Sequence, residues 1–471
     1  MNPNKPSSSL AFPKSFWTAQ QTTPQFPTLS ENLTTEIGIV GGGIVGIVSA
    51  YLLAKAGKKV ALIEAGRLSN GVTGYTTAKV TAQHSLIYDE LIKTIGEEKA
   101  KQYYDANIVG KNLIEHLIKE LSMECDYEAK DAFVYAETDQ GKKKLEKEAA
   151  AYQTLGIHGS LALERSDLPF PIKEALIIYD QSQFDPVKFL TPLVQEIIRL
   201  GGKIYENTRV TEVIKEQTPV ILTENKSLVL CQKVIIATHY PINDADGLYF
   251  TQLSIHRSYA MVLRAHGNIP EGMYINVEQP SRSIRSVQGD NGETLLLIGG
   301  EGHQTGKSSS KTTFRYQDLE KFSKDYFSAE KPLYFWSAQD LQTLDKVPYI
   351  GQMTKQNETI FVATGFNKWG MTAGAFAGKL LTDTLLGIEN PYASLFDPTR
   401  KKSTAKSAGT FLWKNSSVAK DFVYGKLKRS DKKIAHLHSD KGGLVSMNGK
   451  KLAFIGMYKD ICIKLFLFVP T

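Results

Sequence analysis

Residues 36–64, EIGIVGGGIVGIVSAYLLAKAGKKVALIE, contain the most informative pattern in the chain. The short apolar run from Ile37 to Val40 predicts a buried strand that ends in glycines. Ile44 to Ala56 predicts a helix of small and apolar residues that stops at Gly57, and Lys59 to Glu64 predicts a second buried strand. Strand, glycine turn, helix and strand form one βαβ unit, so the sequence predicts a parallel sheet covered by helices.

Gly41, Gly43 and Gly46 form the pattern G-x-G-x-x-G between the first strand and the helix. Without side chains, these positions permit a tight turn, close approach of a pyrophosphate and close packing of helix on strand, while the helix N-terminus offers N–H groups to the anion. Glu64 lies 18 residues after Gly46, where a carboxylate accepts hydrogen bonds from ribose hydroxyls and repels a 2′-phosphate. A glycine turn can also serve packing alone, but strand, helix and acid in register favour a dinucleotide site.

The fingerprint fits NAD and FAD equally, and two later segments favour FAD. KVIIAT, residues 233–238, predicts a second strand that ends beside the nucleotide at Thr238. Thr364-Gly365 closes a third strand ahead of a helix that opens with Met371. Three strand ends that converge on one ligand suit the long FAD, whereas an NAD domain needs only the first.

The net charge of +7 comes from the C-terminal end of the chain. From Arg400 onward there are 16 Lys and Arg against 4 Asp and Glu, a net of +12, so residues 1–399 carry −5. The basic end has no binding motif with interleaved aromatic residues, so a solvated tail is the simpler interpretation and we expect no nucleic-acid partner.

Cysteine usage and hydropathy indicate the compartment. Cys125, Cys231 and Cys462 are too few and too scattered for a disulfide framework or a four-ligand metal site, which indicates a reducing compartment. The N-terminus lacks a charged region followed by an apolar one, and no stretch reaches the roughly 18 apolar residues of a membrane span. We therefore expect a cytoplasmic protein without a membrane span.

The middle of the chain has a different periodicity. Between Ser254 and Gly300 apolar and polar residues mostly alternate, which is typical of antiparallel strands. The strand, glycine and helix pattern returns at residues 359–387, so the second domain is predicted as an insertion. Just before it, Leu228–Leu230 and Val234–Ala237 are predicted as two separate strands.

With these motifs in place, the chain resembles the D-amino-acid oxidase and glycine oxidase family of FAD-dependent oxidoreductases over roughly residues 36–398. The matching segments are GIVGGGIVG, VALIEAG, GVTGYTTAKVTAQH, KVIIAT, WSAQDLQTLDKVPYIG and ATGFNKWGMTAGAFAG. The resemblance implies an α/β fold, in which a doubly wound FAD-binding domain of the glutathione-reductase-like type carries an inserted antiparallel-sheet substrate domain.

The resemblance also implies where the cofactor lies. Residues 71–77 would pass beside the pyrophosphate and the isoalloxazine, Val210 would bond adenine through its backbone, and residues 365–371 would hold the pyrimidine edge of the flavin. The predicted cofactor-binding residues are Gly41, Gly43, Gly46, Glu64, Gly74, Thr76, Thr77, Val210, Thr238, Gly365, Lys368, Gly370 and Met371.

More narrowly, the chain resembles a bacterial subgroup in which this oxidase module precedes a Rieske iron-sulfur domain. Such a cluster needs two Cys and two His in paired loops. Residues 422–454 resemble the opening strands of such a domain, but only Cys462 follows them, and His436 and His438 precede any suitable loop. We therefore expect a remnant truncated before the cluster ligands, with no 2Fe-2S cluster and no other metal.

These patterns divide the chain into a leader, two domains and a tail. The leader is rich in Ser, Thr, Pro, Gln and Asn and is expected to do no chemistry, with Phe16 and Trp17 pinning it to the body. The predicted boundaries are a leader at 1–35, an FAD-binding domain at 36–125, 181–245 and 345–398, a substrate domain at 126–180 and 246–344, and a basic linker with an incomplete Rieske-like remnant at 399–471.

The substrate-binding residues are where the chain departs from the family. In amino-acid-oxidising relatives the Arg of W-x-x-x-R clamps the substrate carboxylate; here Trp336 is followed at that position by Asp340. Asp340 either lines the pocket and favours a cationic or polyamine-like amine, or is an exposed or capping carboxylate. Lys368 is the best candidate cation beside the flavin, ahead of four arginines: Arg257, Arg264, Arg282 and Arg285.

Two tyrosines and one histidine are further candidates for the site. Tyr259 is a candidate catalytic residue together with Asp340 and Lys368. Tyr259 and Tyr349 either line the pocket or belong to the core. His84 is the histidine nearest a motif; a packing role is favoured over covalent flavin attachment.

The sequence therefore predicts an FAD-dependent amine or amino-acid oxidase or dehydrogenase that transfers hydride to flavin N5. The electron acceptor would be oxygen or an external redox protein, and the oligomeric state stays open. The alternative is a degenerate FAD-binding electron-transfer module without amine turnover. An NADH-driven reductase is disfavoured because the chain has no second complete G-x-G-x-x-G.

Overall fold

The computed structural model describes residues 13–20, 24–243, 249–305 and 312–400, and three short strands near the C-terminus. The chain divides into two units, Met1–Ser407 and Ala408–Thr471. In the second unit three strands form an antiparallel sheet: Gly442–Met447, Lys450–Gly456 and Cys462–Leu465. His436 and His438 lie outside the described residues, so the predicted cluster remnant is not tested there.

The first unit is built from two sheets with helices packed around them. Its strands are β1 (Leu33–Val40), β2 (Val60–Ile63), β3 (Lys79–Val80), β4 (Glu128–Ala136), β5 (Gly159–Leu161), β6 (Glu174–Gln183), β7 (Lys203–Tyr205), β8 (Val210–Ile214), β9 (Val220–Thr223), β10 (Leu228–Ile236), β11 (Leu253–Leu263), β12 (Met273–Asn276), β13 (Arg282–Gln288), β14 (Thr294–Gln304), β15 (Tyr334–Thr343), β16 (Tyr349–Thr354) and β17 (Asn357–Thr364). Its helices are α1 (Phe16–Gln20), α2 (Ile44–Lys55), α3 (Tyr88–Ile95), α4 (Glu97–Glu120), α5 (Asp139–Leu155), α6 (Pro186–Arg199), α7 (Tyr249–Gln252), α8 (Thr312–Phe327), α9 (Thr372–Leu386) and α10 (Ala393–Phe396), with single 3₁₀ turns at Val72–Tyr75 and Leu163–Arg165.

The first sheet contains the predicted βαβ unit. Its strand order is β16-β17-β10-β1-β2-β7, with β8 and β9 attached beside β10. The pairings of β10 with β1 and β17, and of β1 with β2, are parallel. The central strands are apolar on both faces because helices cover them, and Ile39, Ile235 and Val362 are fully buried. The carboxyl ends of four parallel strands, β1, β2, β10 and β17, therefore meet at one edge.

Glycines in α9 bring that helix against α2. A Cβ at Gly374 would lie 2.8 Å from Cγ2 of Ile44, and one at Gly378 would lie 2.7 Å from Cγ1 of Val48. The small-residue pattern of MTAGAFAGKLL thus permits two helices to pack closely behind the glycine turn.

The second sheet has the order β15-β11-β14-β13-β12-β4-β6-β3, with β5 attached to β6. Its pairings are antiparallel, as predicted, except that β4 and β12 run parallel. β3 belongs to this sheet although its residues, 79 and 80, fall within the range predicted for the FAD-binding domain. The chain thus leaves the first sheet and returns to it, which is the predicted insertion. The division into domains at the residues given above stays a prediction.

Candidate active site

A cavity of about 520 Å³ lies at the carboxyl edge of the parallel strands and extends along the second sheet. Residues 41–45 follow β1, residues 64 and 65 follow β2, residues 237–240 follow β10, and Phe366 and residues 368–371 follow β17; all line the cavity. Ligands of open α/β sheets bind at this edge, where strand ends and helix N-termini converge.

The glycine turn has the close contacts that the sequence predicts. Gly41 has φ +113°, and a Cβ there would lie 2.4 Å from the carbonyl O of Ala237. A Cβ at Gly46 would lie 1.9 Å from the carbonyl O of Gly41, so α2 packs directly on the turn. Gly43 precedes α2, and no side chain caps the helix from that position. The N–H of Gly42 is bonded to Glu64 and that of Ile44 to Thr73 Oγ1 (3.1 Å), so what the turn offers to a diphosphate is the positive end of the α2 dipole beside Gly43.

Glu64 is held in place at the end of β2. Its carboxylate accepts hydrogen bonds from the backbone N–H groups of Gly42 and Gly66, both at 2.7 Å. A carboxylate oxygen accepts more than one hydrogen bond, so the group remains able to accept ribose hydroxyls. Together with the glycine turn, this residue fits the adenosine diphosphate portion of FAD.

Residues 71–73 and 75–77 line the cavity, and backbone carbonyls of the segment from Gly71 to Ala78 accept hydrogen bonds from side chains in three other parts of the chain. Trp336 Nε1 donates to the carbonyl of Tyr75 (3.0 Å), and Arg285 Nη1 donates to that of Ala78 (2.8 Å). Trp17 Nε1 donates to the carbonyl of Thr76 (2.8 Å). These bonds fix the backbone of a segment that otherwise has little regular structure.

The N-terminal segment therefore contributes to the site. Trp17 and Phe16 are buried, as the leader prediction requires, and Ser15 Oγ donates to the carbonyl of Gly74. The prediction that the leader does no chemistry missed this indirect role. A buried Trp needs a partner for its N–H, which is the signal that could have indicated a backbone contact.

Asp340 and Lys368 lie on the same wall of the cavity. Asp340 is partly buried, and its carboxylate has no hydrogen bond or ion pair with a side chain or backbone group of another described residue. Burial raises the pKa of Asp340 to about 6, although the neighbouring Lys368 lowers it. Lys368 Nζ donates to Ser258 Oγ (2.8 Å). The side chain of Lys368 is exposed, but the surrounding cavity wall removes part of its hydration. This desolvation lowers the pKa of Lys368, whereas the charge of the neighbouring Asp340 raises it.

Tyr259 also lines the cavity, and its hydroxyl shares a hydrogen bond with His303 Nε2 (3.0 Å). Its side chain is 3% exposed, so both interpretations weighed from the sequence apply at once: it is a core residue that borders the pocket.

Most of the predicted site residues border this one cavity. Those that line it are Gly41, Gly43, Glu64, Thr76, Thr77, Val210, Thr238, Tyr259, Asp340, Lys368, Gly370 and Met371. Gly46, Gly74 and Gly365 lie behind the lining and allow close packing. A Cβ at Gly74 would lie 2.2 Å from the carbonyl O of Ser69, and Gly365 has φ +77°.

The other candidate cations do not line the cavity. Arg282 pairs with the buried Glu301 (2.7 Å), and Arg285 bonds Ala78 as described. Arg257 donates to Ser337 Oγ (3.1 Å), and Arg264 faces Glu293 (3.7 Å).

His84 is a packing residue, as favoured from the sequence. It is 3% exposed, its Nδ1 lies 2.7 Å from the hydroxyl O of Tyr103, and its ring stacks on Trp369. Burial lowers its pKa to about 3, so the ring is neutral. Trp369, in turn, lines the cavity.

The sequence interpretation missed Lys79. This lysine lines the cavity at the opposite end from Asp340, is 8% exposed, and donates to the backbone carbonyl of Tyr274 (2.6 Å). A lysine within a short apolar strand segment is a recognisable signal, because lysine is rarely buried without a reason.

A glycine turn at a helix N-terminus, an acid on the next strand and a cavity bordered by a second, mostly antiparallel sheet define the flavin-dependent oxidoreductases. The match to a family model makes this specific: the chain belongs to the DAO family of FAD-dependent oxidoreductases, whose model covers residues 36–384. FAD, predicted from the converging strand ends, is thereby confirmed as the cofactor.

Similar proteins support this placement. The chain is 37% identical over 450 residues to the putative Rieske 2Fe-2S iron-sulfur protein YhfW of Bacillus subtilis (strain 168), which covers 95% of this chain and 87% of that protein. It is 25% identical over 376 residues to gamma-glutamylputrescine oxidoreductase of Escherichia coli (strain K12), covering 77% of this chain and 86% of that protein. The crystal structure of glycine oxidase from Geobacillus kaustophilus superposes with a TM-score of 0.65 at 19% identity, over 79% of this chain and 100% of that one, which confirms the predicted fold.

No described helix is long and apolar enough to cross a bilayer. Among the same described residues, no group of three or more His, Cys, Asp or Glu side chains is arranged to hold a metal ion.

Proposed function

We propose that this flavoprotein oxidises an amine that it binds through a cationic group of the substrate, and that its substrate is not a simple α-amino acid. The observation that carries the proposal is the carboxylate of Asp340, which faces the cavity without a partner among the described residues. A cationic clamp at this place would attract a substrate carboxylate, whereas a carboxylate attracts an ammonium group. The relative that acts on gamma-glutamylputrescine, by its name, agrees with an amine substrate.

Each part of the cavity has a role in this proposal. When bound, FAD would supply the acceptor for a hydride, which leaves the carbon beside the amine nitrogen with its electron pair; the nitrogen loses a proton, and water hydrolyses the resulting imine. The turn at Gly41–Gly43 and the N-terminus of α2 bind the diphosphate, and Glu64 binds the ribose. Asp340 orients the substrate through a charge-assisted hydrogen bond to an ammonium group. Lys368, held by Ser258, keeps a cation where it stabilises negative charge on a reduced flavin.

Anaerobic reduction of the holoenzyme tests the proposal. Diamines and polyamines are expected to bleach the flavin absorption band, while glycine, D-amino acids, L-amino acids and NADH are not. Retention of FAD with no bleaching by any amine would favour the alternative, a binding module without turnover. Bleaching by simple amino acids alone would contradict the role of Asp340.

Substitutions at Asp340 give a sharper test. Asp340→Asn keeps the shape of the side chain and is expected to lower kcat/KM for diamines about 10- to 100-fold, since hydrogen bonds to charged groups contribute about 1.5–3 kcal/mol. Asp340→Arg is expected to shift preference toward amines that carry a carboxylate. An unaltered substrate profile in both variants would place Asp340 outside the substrate site.

The pH dependence follows from the charge of Asp340. Because burial raises the pKa of Asp340 to about 6, the carboxylate is ionised above that pH and protonated below it. The kcat/KM for a diamine is therefore expected to fall as the pH drops through about 6, and this fall should be absent in Asp340→Asn. The titratable neighbours are Lys368 and, opposite in register on β11, His256.

A further inference from the structure

Lys79 lies at the end of the cavity farthest from Asp340 along the second sheet. Its Nζ donates to the carbonyl of Tyr274, at the start of β12, and Asp340 is on β15. Three strands, β11, β14 and β13, separate β12 from β15. At about 4.8 Å per strand, the two ends of the cavity are roughly 19 Å apart, so they do not contact the same functional group.

The surroundings of Lys79 lack a negative charge. Among the described residues Lys79 has no carboxylate partner, and the nearest charge that affects it is the buried Arg285. Burial and Arg285 together lower the pKa of Lys79 to about 7. A buried cation without a counter-charge is costly, and a bound anion would relieve that cost.

Two hydroxyls lie at the same end of the cavity. Ser281 and Ser283 line the cavity, and neither hydroxyl has a hydrogen-bond partner among the described residues. Ser283 pairs in register with Ile275, the residue after Tyr274, and with Gly299 on β14. A Cβ at Gly299 would lie 3.2 Å from Thr77 Cγ2 and 3.8 Å from Ser283 Cβ, so Thr77 packs over this glycine beside Ser283. One amine and two hydroxyls therefore line this end of the cavity without a charged partner among the described residues.

We infer that Lys79, Ser281 and Ser283 form a subsite for an anionic group, specifically a carboxylate borne on the arm of the amine substrate that points away from Asp340. This inference rests on the proposed function and narrows it: the substrate is an elongated amine with a cationic arm and an acidic arm. The acidic arm binds by hydrogen bonds from Nζ and the hydroxyls, with no covalent step.

Binding of simple carboxylates to the oxidised holoenzyme tests the subsite without turnover. Glutarate and adipate are titrated while the flavin absorption spectrum is recorded, with glutaramide as the uncharged control. Lys79→Met is expected to raise the Kd of the two acids about 10- to 100-fold, in line with the loss of a charged hydrogen-bond donor, and to leave the Kd for FAD unchanged. Ser283→Ala should raise it by a smaller factor. Ser286→Ala, on the same strand, is the matched control and should have no effect.

Three outcomes would overturn the inference. Wild-type protein that binds glutarate no better than glutaramide has no such subsite. An unchanged Kd for the acids in Lys79→Met removes Lys79 from it. A weaker Kd for FAD or a shifted flavin spectrum in Lys79→Met, without any ligand, would assign the lysine to the cofactor. Failure of the proposed function is seen separately, as an absence of bleaching by amines.

Discussion

Substitution of Gly46 by Ala perturbs the site without touching the cavity lining. A Cβ at this position lies 1.9 Å from the carbonyl O of Gly41 and 3.4 Å from Cγ2 of Ile39, whereas Cβ atoms essentially never approach within 3.0 Å of another heavy atom. The turn and α2 must therefore separate by about 1 Å, and overpacking of this kind costs typically 1–3 kcal/mol. Because the turn and the N-terminus of α2 are the proposed binding site of the diphosphate, we expect the Kd for FAD to rise about 5- to 150-fold.

The assay is fluorescence titration of apoprotein with FAD, together with the flavin-to-protein ratio after gel filtration. Gly66→Ala is the matched control, since a Cβ there meets only Glu64 Oε1 at 3.8 Å. The melting temperature of both apoproteins separates a local displacement from general unfolding. A folded Gly46→Ala variant with the wild-type Kd for FAD would refute the reasoning.

Three further substitutions probe other parts of the structure. Glu64→Ala removes the ribose acceptor and the partner of two backbone N–H groups, so the flavin content after gel filtration should fall; unchanged content would argue against its role. Trp17→Phe removes the bond to the carbonyl of Thr76 and part of a buried ring that Arg285 lies over (5.4 Å), so the Kd for FAD should rise several-fold by titration and the melting temperature should fall. Glu148 is buried and accepts the backbone N–H groups of Ile87, Tyr88 and Asp89; Glu148→Ala should lower the free energy of unfolding in urea by about 1–3 kcal/mol, whereas the exposed Glu146→Ala should not.

The local patterns were sufficient for the parallel sheet and the nucleotide end of the site. Gly41, Gly43 and Glu64 carry a spacing that fixes their place on a strand–turn–helix–strand unit. Leu228–Leu230 and Val234–Ala237, predicted as separate strands, are one strand, β10. Its intervening residues include the buried Cys231, and the polar Gln232 and Lys233 do not interrupt a strand paired on both sides.

The substrate end could be predicted only in part, because its residues come from strands that are distant in sequence. Asp340 was found because a family pattern marks its position. Lys79 belongs to no motif, and its burial depends on β3 pairing with β6 and on the reach of its side chain to Tyr274. The parallel pairing of β4 with β12 was missed for the same reason, since alternation along a strand does not specify the direction of its neighbour.

The strand order of the first sheet has a consequence for biosynthesis. β10 is completed at residue 236, but its partner β17 and the segment that follows, up to Met371, are made more than 100 residues later. Until then the growing polypeptide exposes the apolar edge of β10 and only part of the cofactor pocket. We therefore expect complete flavin binding only after the segment up to Met371 has been synthesised, and a chain released from within the inserted sheet to be colourless and prone to aggregation.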